Sequence, residues 1–102
     1  MDILTLNTNS LMGKTAGEWV ITEIQNQPLA YVIYLSNGNS DKVFFIRKPV
    51  IKGSSIRLDS DVYELWYDDY KEAKLLTLTE ISDANIVVES INALILKYSK
   101  FD

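Results

Sequence analysis

The fold of this chain is decided by residues 29–51, LAYVIYLSNGNSDKVFFIRKPVI. Two apolar runs, residues 29–35 and 43–46, flank a polar segment that contains the pair Asn37-Gly38. Asn and Gly tolerate the positive φ angles that a tight hairpin turn requires. The stretch therefore predicts a central β-hairpin.

Side chains alternate along a strand, and this alternation makes both faces of the predicted hairpin apolar. One face would carry Leu29, Tyr31, Ile33, Leu35, Phe44 and Ile46, and the other Ala30, Val32, Tyr34, Val43 and Phe45. An antiparallel sheet with one solvated face would instead show polar residues at every second position. We expect the chain's own helix to cover one face, and either the rest of a curled sheet or another molecule to cover the second.

The segments before and after the hairpin predict further strands. Strand patterns occur at residues 3–6, 18–25, 56–58 and 75–81. In the second of these, alternation places Trp19, Ile21 and Glu23 on one side and Val20, Thr22 and Ile24 on the other. Residues 7–17 are rich in turn formers and predict a loop with at most one helical turn at 10–14.

The C-terminal segment is the clearest helix. Ser82 or Asp83 can cap its start. Its broad apolar face is formed by Val87, Val88, Ile91, Leu94, Ile95 and Tyr98. This face should pack on one side of the sheet.

Residues 59–74 fit two structures. As a helix, they would present an aromatic stripe formed by Tyr63, Trp66, Tyr67 and Tyr70. As a strand, residues 62–67 would pair with residues 75–81, and this second hairpin is favoured because the later strand needs a neighbour. Residues 1–102 are therefore predicted to form a single α+β domain, with an antiparallel sheet of about five to six strands, a meander that can curl, covered on one face by the C-terminal α-helix.

The composition of the chain limits the cellular compartments in which we expect it and the chemistry it can perform. There is no Cys, so no disulfide can form. No apolar run approaches the roughly 20 residues of a membrane span, and no basic N-terminal region precedes an apolar stretch. We expect a cytoplasmic protein that does not contact a membrane.

The chain also has no His. The absence of both His and Cys removes the commonest general base, the thiolate nucleophile and most zinc or iron sites. Asp59-Ser60-Asp61 begins like a calcium-binding loop, but Tyr63 and Glu64 stand where that loop needs Asp or Asn and then Gly. The sequence predicts a protein that is not an enzyme and that has no metal or other cofactor.

The net charge of −4 is small, but the charged residues are unevenly distributed, and two neighbouring segments carry opposite signs. Residues 42–57 hold five basic side chains and no acid, whereas residues 59–72 hold six acidic side chains and one lysine. The two segments either neutralise each other as neighbouring strands or form surfaces of opposite sign.

The basic segment contains two aromatic residues, but the chain is acidic overall and lacks the Gly-rich aromatic signature of an RNA-binding strand, which argues against a nucleic-acid partner.

The acidic segment combines carboxylates with aromatic residues. The predicted partner-binding residues are Asp59, Asp61, Glu64, Trp66, Tyr67, Asp68, Asp69, Tyr70 and Glu72. Trp66 and Tyr67 would anchor the contact, because Trp and Tyr are over-represented among interface hot spots, and the carboxylates would guide a basic surface into register. In the alternative interpretation, two of the aromatic residues lie in the core and the acids keep a hairpin tip in water.

These features predict a small protein-binding module that occludes a partner protein with a basic surface. Inhibitors, immunity proteins against toxins and phage-encoded antagonists of host defence enzymes have this profile. Two other functions stay open. One is an assembly subunit that forms a homodimer through the uncovered face of its sheet, and the other is a small-ligand carrier with a partly closed barrel.

Overall fold

The computed structural model describes residues 8–28, 30–47, 62–67 and 73–98. The strands are β1 (Thr15–Ala16), β2 (Trp19–Asn26), β3 (Tyr31–Ser36), β4 (Asp41–Arg47), β5 (Val62–Tyr67) and β6 (Ala73–Thr77). The helices are α1 (Thr8–Leu11), α2 (Leu78–Ile81) and α3 (Ala84–Tyr98). The strands pair antiparallel in chain order, so the sheet is a six-stranded meander, and it curls into a half-barrel against which α3 packs. The predicted α+β fold is confirmed.

The predicted central hairpin is formed by β3 and β4. The last pair before its turn is Ser36 opposite Asp41, which leaves a four-residue loop. Oδ1 of Asn37 accepts hydrogen bonds from two backbone N–H groups of this loop, each at 2.9 Å. Gly38 has a φ of 94°, a conformation that glycine adopts without the steric cost a side chain would bring. The Asn-Gly pair therefore forms the turn that the sequence predicts.

The face of the sheet that packs against α3 forms the core. Four side chains of the central hairpin are fully buried there, namely Ile33, Leu35, Phe44 and Ile46. The helix contributes to the same cluster with Val87, Ile91, Leu94, Ile95 and Tyr98. Burial of each large apolar side chain contributes roughly 1.5–3 kcal/mol. The helix is thus the first of the two expected covers.

A β-bulge in β2 changes the predicted alternation of that strand. The pairing of β2 with β3 shifts between Ile21 and Glu23. Beyond the bulge, Glu23 is exposed on the face away from α3, and Ile24 packs against the core. The sides predicted for Glu23 and Ile24 are therefore wrong. Strict alternation would direct a carboxylate into the core, where a charge without partners is costly, and the bulge avoids this.

The second hairpin, β5 with β6, is also present, with Tyr63 opposite Leu76. The later strand ends at Thr77, however, and Leu78–Ile81 forms α2 instead of continuing the strand as predicted. A capping box explains this change. Oγ1 of Thr77 accepts a hydrogen bond from the backbone N–H of Glu80 at 3.2 Å, and the backbone N–H of Thr77 donates to Oε1 of Glu80 at 2.8 Å.

The structure also tests the predicted start of α3 and the predicted position of the first helical turn. Asp83, one of the two predicted caps of α3, accepts a hydrogen bond from the backbone N–H of Asn85 at 3.0 Å. The helical turn expected at 10–14 lies at Thr8–Leu11. The strands predicted at 3–6 and 56–58 lie outside the described residues. Among the helices of the described ranges, none has the length and apolar character to cross a bilayer.

The capping box should make stability depend on pH. Its hydrogen bonds from Thr77, with a smaller contribution from the charge of Lys74, lower the pKa of Glu80 from its ordinary value of 4.5. A lowered folded-state pKa stabilises the fold above pH 4.5, and this contribution is lost as the pH falls through the folded-state pKa. We expect Glu80→Gln to be less stable than the wild type at neutral pH and the difference to shrink in acid. Urea denaturation at both pH values measures this, with Glu89→Gln in α3 as the charge-loss control, and a difference independent of pH would contradict it.

Candidate protein-binding face of the sheet

We call the side of the sheet opposite α3 the open face. The register assigns to it Thr15, Val20, Glu23, Gln25, Val32, Tyr34, Ser36, Asp41, Val43, Phe45, Arg47, Val62, Glu64, Trp66, Ala73, Leu75 and Thr77. The core cluster on the other side includes Leu11 of α1, Ile81 of α2 and the buried residues of α3, and it includes none of the open-face residues. Within the described ranges, all three helices therefore pack on the side away from the open face.

A row of side chains, four of them apolar, crosses the open face. Gln25, Val32, Phe45, Trp66 and Ala73 lie opposite one another on the five successive strands β2 to β6. With strands about 4.8 Å apart, the apolar part of this row is about 14 Å wide. Val32 is only 7% exposed, whereas Phe45, Trp66 and Ala73 are half-buried. The aromatic rings of this row therefore keep part of their surface accessible.

Further apolar side chains extend the row on both sides. Tyr34 and Val43 pair with each other and are half-buried. Leu75 and Val20 are 61% and 37% exposed. The second apolar face that the sequence predicts is thus confirmed. Apolar side chains that are accessible together on one face are typical of sites at which proteins bind one another.

Trp66 is held in place by its neighbours on the open face. Its indole Nε1 donates a hydrogen bond to Oε1 of Glu64 at 3.0 Å. Nε of Arg47 donates to the same oxygen at 3.2 Å, and the guanidinium carbon lies 5.1 Å from the centre of the Trp66 ring. These contacts fix the orientation of the ring. Arg47 belongs to the basic segment and Glu64 to the acidic one, and this pair joins the two segments across neighbouring strands. Most other charges of the two segments lie outside the described residues.

Acidic residues outnumber basic ones among the described residues of the open face. Glu23, Asp41 and Glu64 lie there, and Arg47 is the basic residue. The carboxylate of Glu64 is shared by two donors, so Glu23 and Asp41 carry most of the exposed negative charge. Within the part of the chain that the structure describes, no group of three or more acidic side chains is arranged to hold a metal ion.

The structure separates the predicted site residues into three groups. Glu64 and Trp66 lie on the open face, and Tyr67 lies on the core face. The other predicted residues, Asp59, Asp61, Asp68, Asp69, Tyr70 and Glu72, lie outside the described residues. Trp66 and Tyr67 are neighbours on one strand and must point to opposite sides, so they cannot anchor the same contact.

Tyr67 is part of the core and not of the open face. It is 5% exposed, and its ring stacks on Phe44 with centroids 4.6 Å apart and an interplanar angle of 14°. Its edge contacts Tyr98 of α3 at a centroid distance of 6.2 Å, and its hydroxyl contacts Nζ of Lys42. Tyr67 is therefore removed from the predicted anchor set.

Several apolar residues of the open face were not predicted as part of the site, among them Tyr34, Val43, Phe45 and Leu75. The signal for the first three was present in the alternation of the central hairpin, which already made its second face apolar. What the sequence did not show is that β5 places Trp66 directly beside Phe45. Comparison of the chain with protein-family models, with curated proteins and with solved structures found no match.

Proposed function

We propose that this protein is a small protein-binding module that occludes the basic surface of a partner protein with its open face. The observation that carries the proposal is the position of Trp66, which lies half-buried between Phe45 and Ala73. Binding hot spots are typically such aromatic residues, placed near the centre of a contact and surrounded by side chains that exclude water.

The contacts around Trp66 favour binding because they reduce its entropic cost. A side chain that is free before association loses rotamer freedom on binding, at a cost of about 0.5–1.5 kcal/mol. The hydrogen bond to Glu64 and the guanidinium of Arg47 already restrict the ring of Trp66 in the unbound protein. A partner can therefore bind a surface whose central anchor is preorganised.

The charge of the open face favours a basic partner. Glu23 and Asp41 are exposed on it, and in the sequence Asp61 directly precedes β5 while Asp68 directly follows it. Negative charge around an aromatic centre speeds association with a basic surface and disfavours an acidic one. The same charge disfavours a second copy of this chain as the occupant, since a symmetric dimer brings identical patches together.

Side-chain footprinting on a captured partner tests the proposal. The tagged full chain captures binding proteins from extracts of its native host, and the captured protein is identified by mass spectrometry and purified. Hydroxyl-radical oxidation of the complex should then be reduced at Trp66, Phe45 and Tyr34. Two exposed residues away from the open face, Met12 and Leu96, should stay as reactive as in the free protein.

Three results would contradict the proposal. The first is that no captured protein protects Trp66, and the second is protection limited to Met12 and Leu96. The third is protection of Trp66 that rises with the concentration of this protein alone, together with a dimer mass in light scattering, which would favour the assembly subunit.

If a partner binds as proposed, reversing Asp68 and Asp69 to Lys should slow association, weaken its salt dependence and leave dissociation nearly unchanged.

A further inference from the structure

A cleft lies on the side of the sheet away from the open face. It has a volume of about 420 Å³, within the range of 300–1,000 Å³ typical of small-molecule sites. Its lining comes from the turn between β1 and β2, from the start of β4 and from the last two turns of α3. None of its lining residues belongs to the open face, so the cleft is distinct from the proposed docking surface.

Gly17 allows the turn to approach the helix at one wall of the cleft. It has a φ of 65°, which a two-residue hairpin turn requires at its first position. A Cβ atom at this position would lie 3.1 Å from Oδ1 of Asn92 on α3. The absence of that atom leaves the side-chain amide of Asn92 lining the cleft, where it can donate and accept hydrogen bonds.

The rest of the lining combines apolar side chains with two charged ones, Lys42 and Glu18. Trp19, Ile95 and Leu96 supply the apolar surface. Nζ of Lys42 lies 4.6 Å from the centre of the Trp19 ring and 5.0 Å from that of Tyr67, whose hydroxyl it also contacts. These contacts position the ammonium group at the wall of the cleft, beside the Trp19 ring.

We propose that this cleft binds a small monocarboxylate with a flat, apolar body. The carboxylate would pair with Lys42 and Asn92, and the body would lie against Trp19, Ile95 and Leu96. Glu18 also lines the cleft and brings a negative charge to it. Its carboxylate repels a ligand with a single negative charge less strongly than the double charge of a phosphate.

Three compounds with the same indole ring and different charges test the ligand class. They are indole-3-acetate, neutral indole-3-acetamide and cationic tryptamine, each titrated into the ¹⁵N-labelled full chain. The chain has two Trp residues, and their indole N–H signals report on the two sites separately once Trp66→Phe has assigned them. Indole-3-acetate should shift the Trp19 signal at lower concentration than the other two compounds and should leave the Trp66 signal in place.

Two pairs of variants test the residues. Lys42→Met keeps most of the side-chain stem and should weaken binding of indole-3-acetate by about tenfold or more, because it removes a charge-assisted hydrogen bond, whereas Lys74→Met should not. Leu96→Glu places a negative charge at the rim and should also weaken binding, whereas Leu75→Glu on the open face should not. Leu96 and Leu75 are 66% and 61% exposed, so these two variants carry little risk for folding.

The proposal is overturned if the three compounds bind equally, if none shifts the Trp19 signal, or if Leu96→Glu and Leu75→Glu have the same effect. None of these results bears on partner binding by the open face, which is read from Trp66.

Discussion

Phe44→Ala should lower the free energy of unfolding by about 3–5 kcal/mol, the usual range for removing a buried phenyl ring. Phe44 is fully buried at the centre of the sheet, opposite Ile33 on one strand and Tyr67 on the other. Its ring stacks on Tyr67, which in turn contacts Tyr98 of α3. The truncation would therefore leave a cavity between the sheet and the helix that covers it.

The neighbouring residue provides the matched control for this prediction. Phe45 is the next residue on β4, has the same side chain and points to the open face, where it is half-buried. Phe45→Ala should cost about 1 kcal/mol, as is usual for a residue outside the core. Urea denaturation of both variants, followed by circular dichroism, measures the difference. Equal losses would mean that the open face is covered as completely as the core and would contradict its assignment as a binding surface.

The pair Phe44 and Phe45 also shows what sequence patterns can predict. Two apolar runs around Asn37-Gly38 are a local signal, and they determine the hairpin, its turn and the two faces of its strands. The helix α3 is equally local, because its cap and its apolar face lie within one segment. These elements needed no knowledge of distant contacts.

Three other features of the structure differ from the prediction. In two of them, a regular strand pattern in the sequence competes with another local signal. The bulge in β2 lies in a segment whose strict alternation fits a regular strand. The capping box of Thr77 and Glu80 lies inside a segment whose composition predicts a strand up to residue 81. The position of Tyr67 followed from strand alternation once residues 62–67 were assigned to a strand. Trp66 and Tyr67 are adjacent in sequence, but their side chains lie on opposite faces of the sheet.

The candidate site itself could not be derived from local patterns. The aromatic row on the open face depends on the register of β4 against β5, which places Phe45 beside Trp66 and Arg47 beside Glu64. Fourteen residues, 48–61, separate these two strands in the sequence. A shift of one residue in this pairing would reverse the faces of the entire strand, and no short-range signal determines pairing over such a distance.

Trp66→Ala should weaken binding of the captured partner by at least about thirtyfold, the effect of losing about 2 kcal/mol at an interface hot spot. The loss should appear mainly in the dissociation rate, because an aromatic anchor acts after the surfaces have met. Titration calorimetry and surface plasmon resonance with the purified partner measure both quantities. The variant must first show the far-ultraviolet spectrum and the cooperative unfolding of the wild type, since Trp66 also contacts Glu64 and Arg47.

Neighbouring positions separate loss of an anchor from general damage to the surface. Tyr67→Phe removes a hydroxyl on the core face and should leave affinity unchanged, although it removes the contact with Lys42. Glu64→Gln keeps an acceptor for the indole N–H but loses the charge that pairs with Arg47, so its effect should be smaller than that of Trp66→Ala. If Trp66→Ala binds within threefold of the wild type while Tyr67→Phe loses affinity, the partner must contact the side of the sheet that carries α3. The open face would then need another explanation for its exposed aromatic rings.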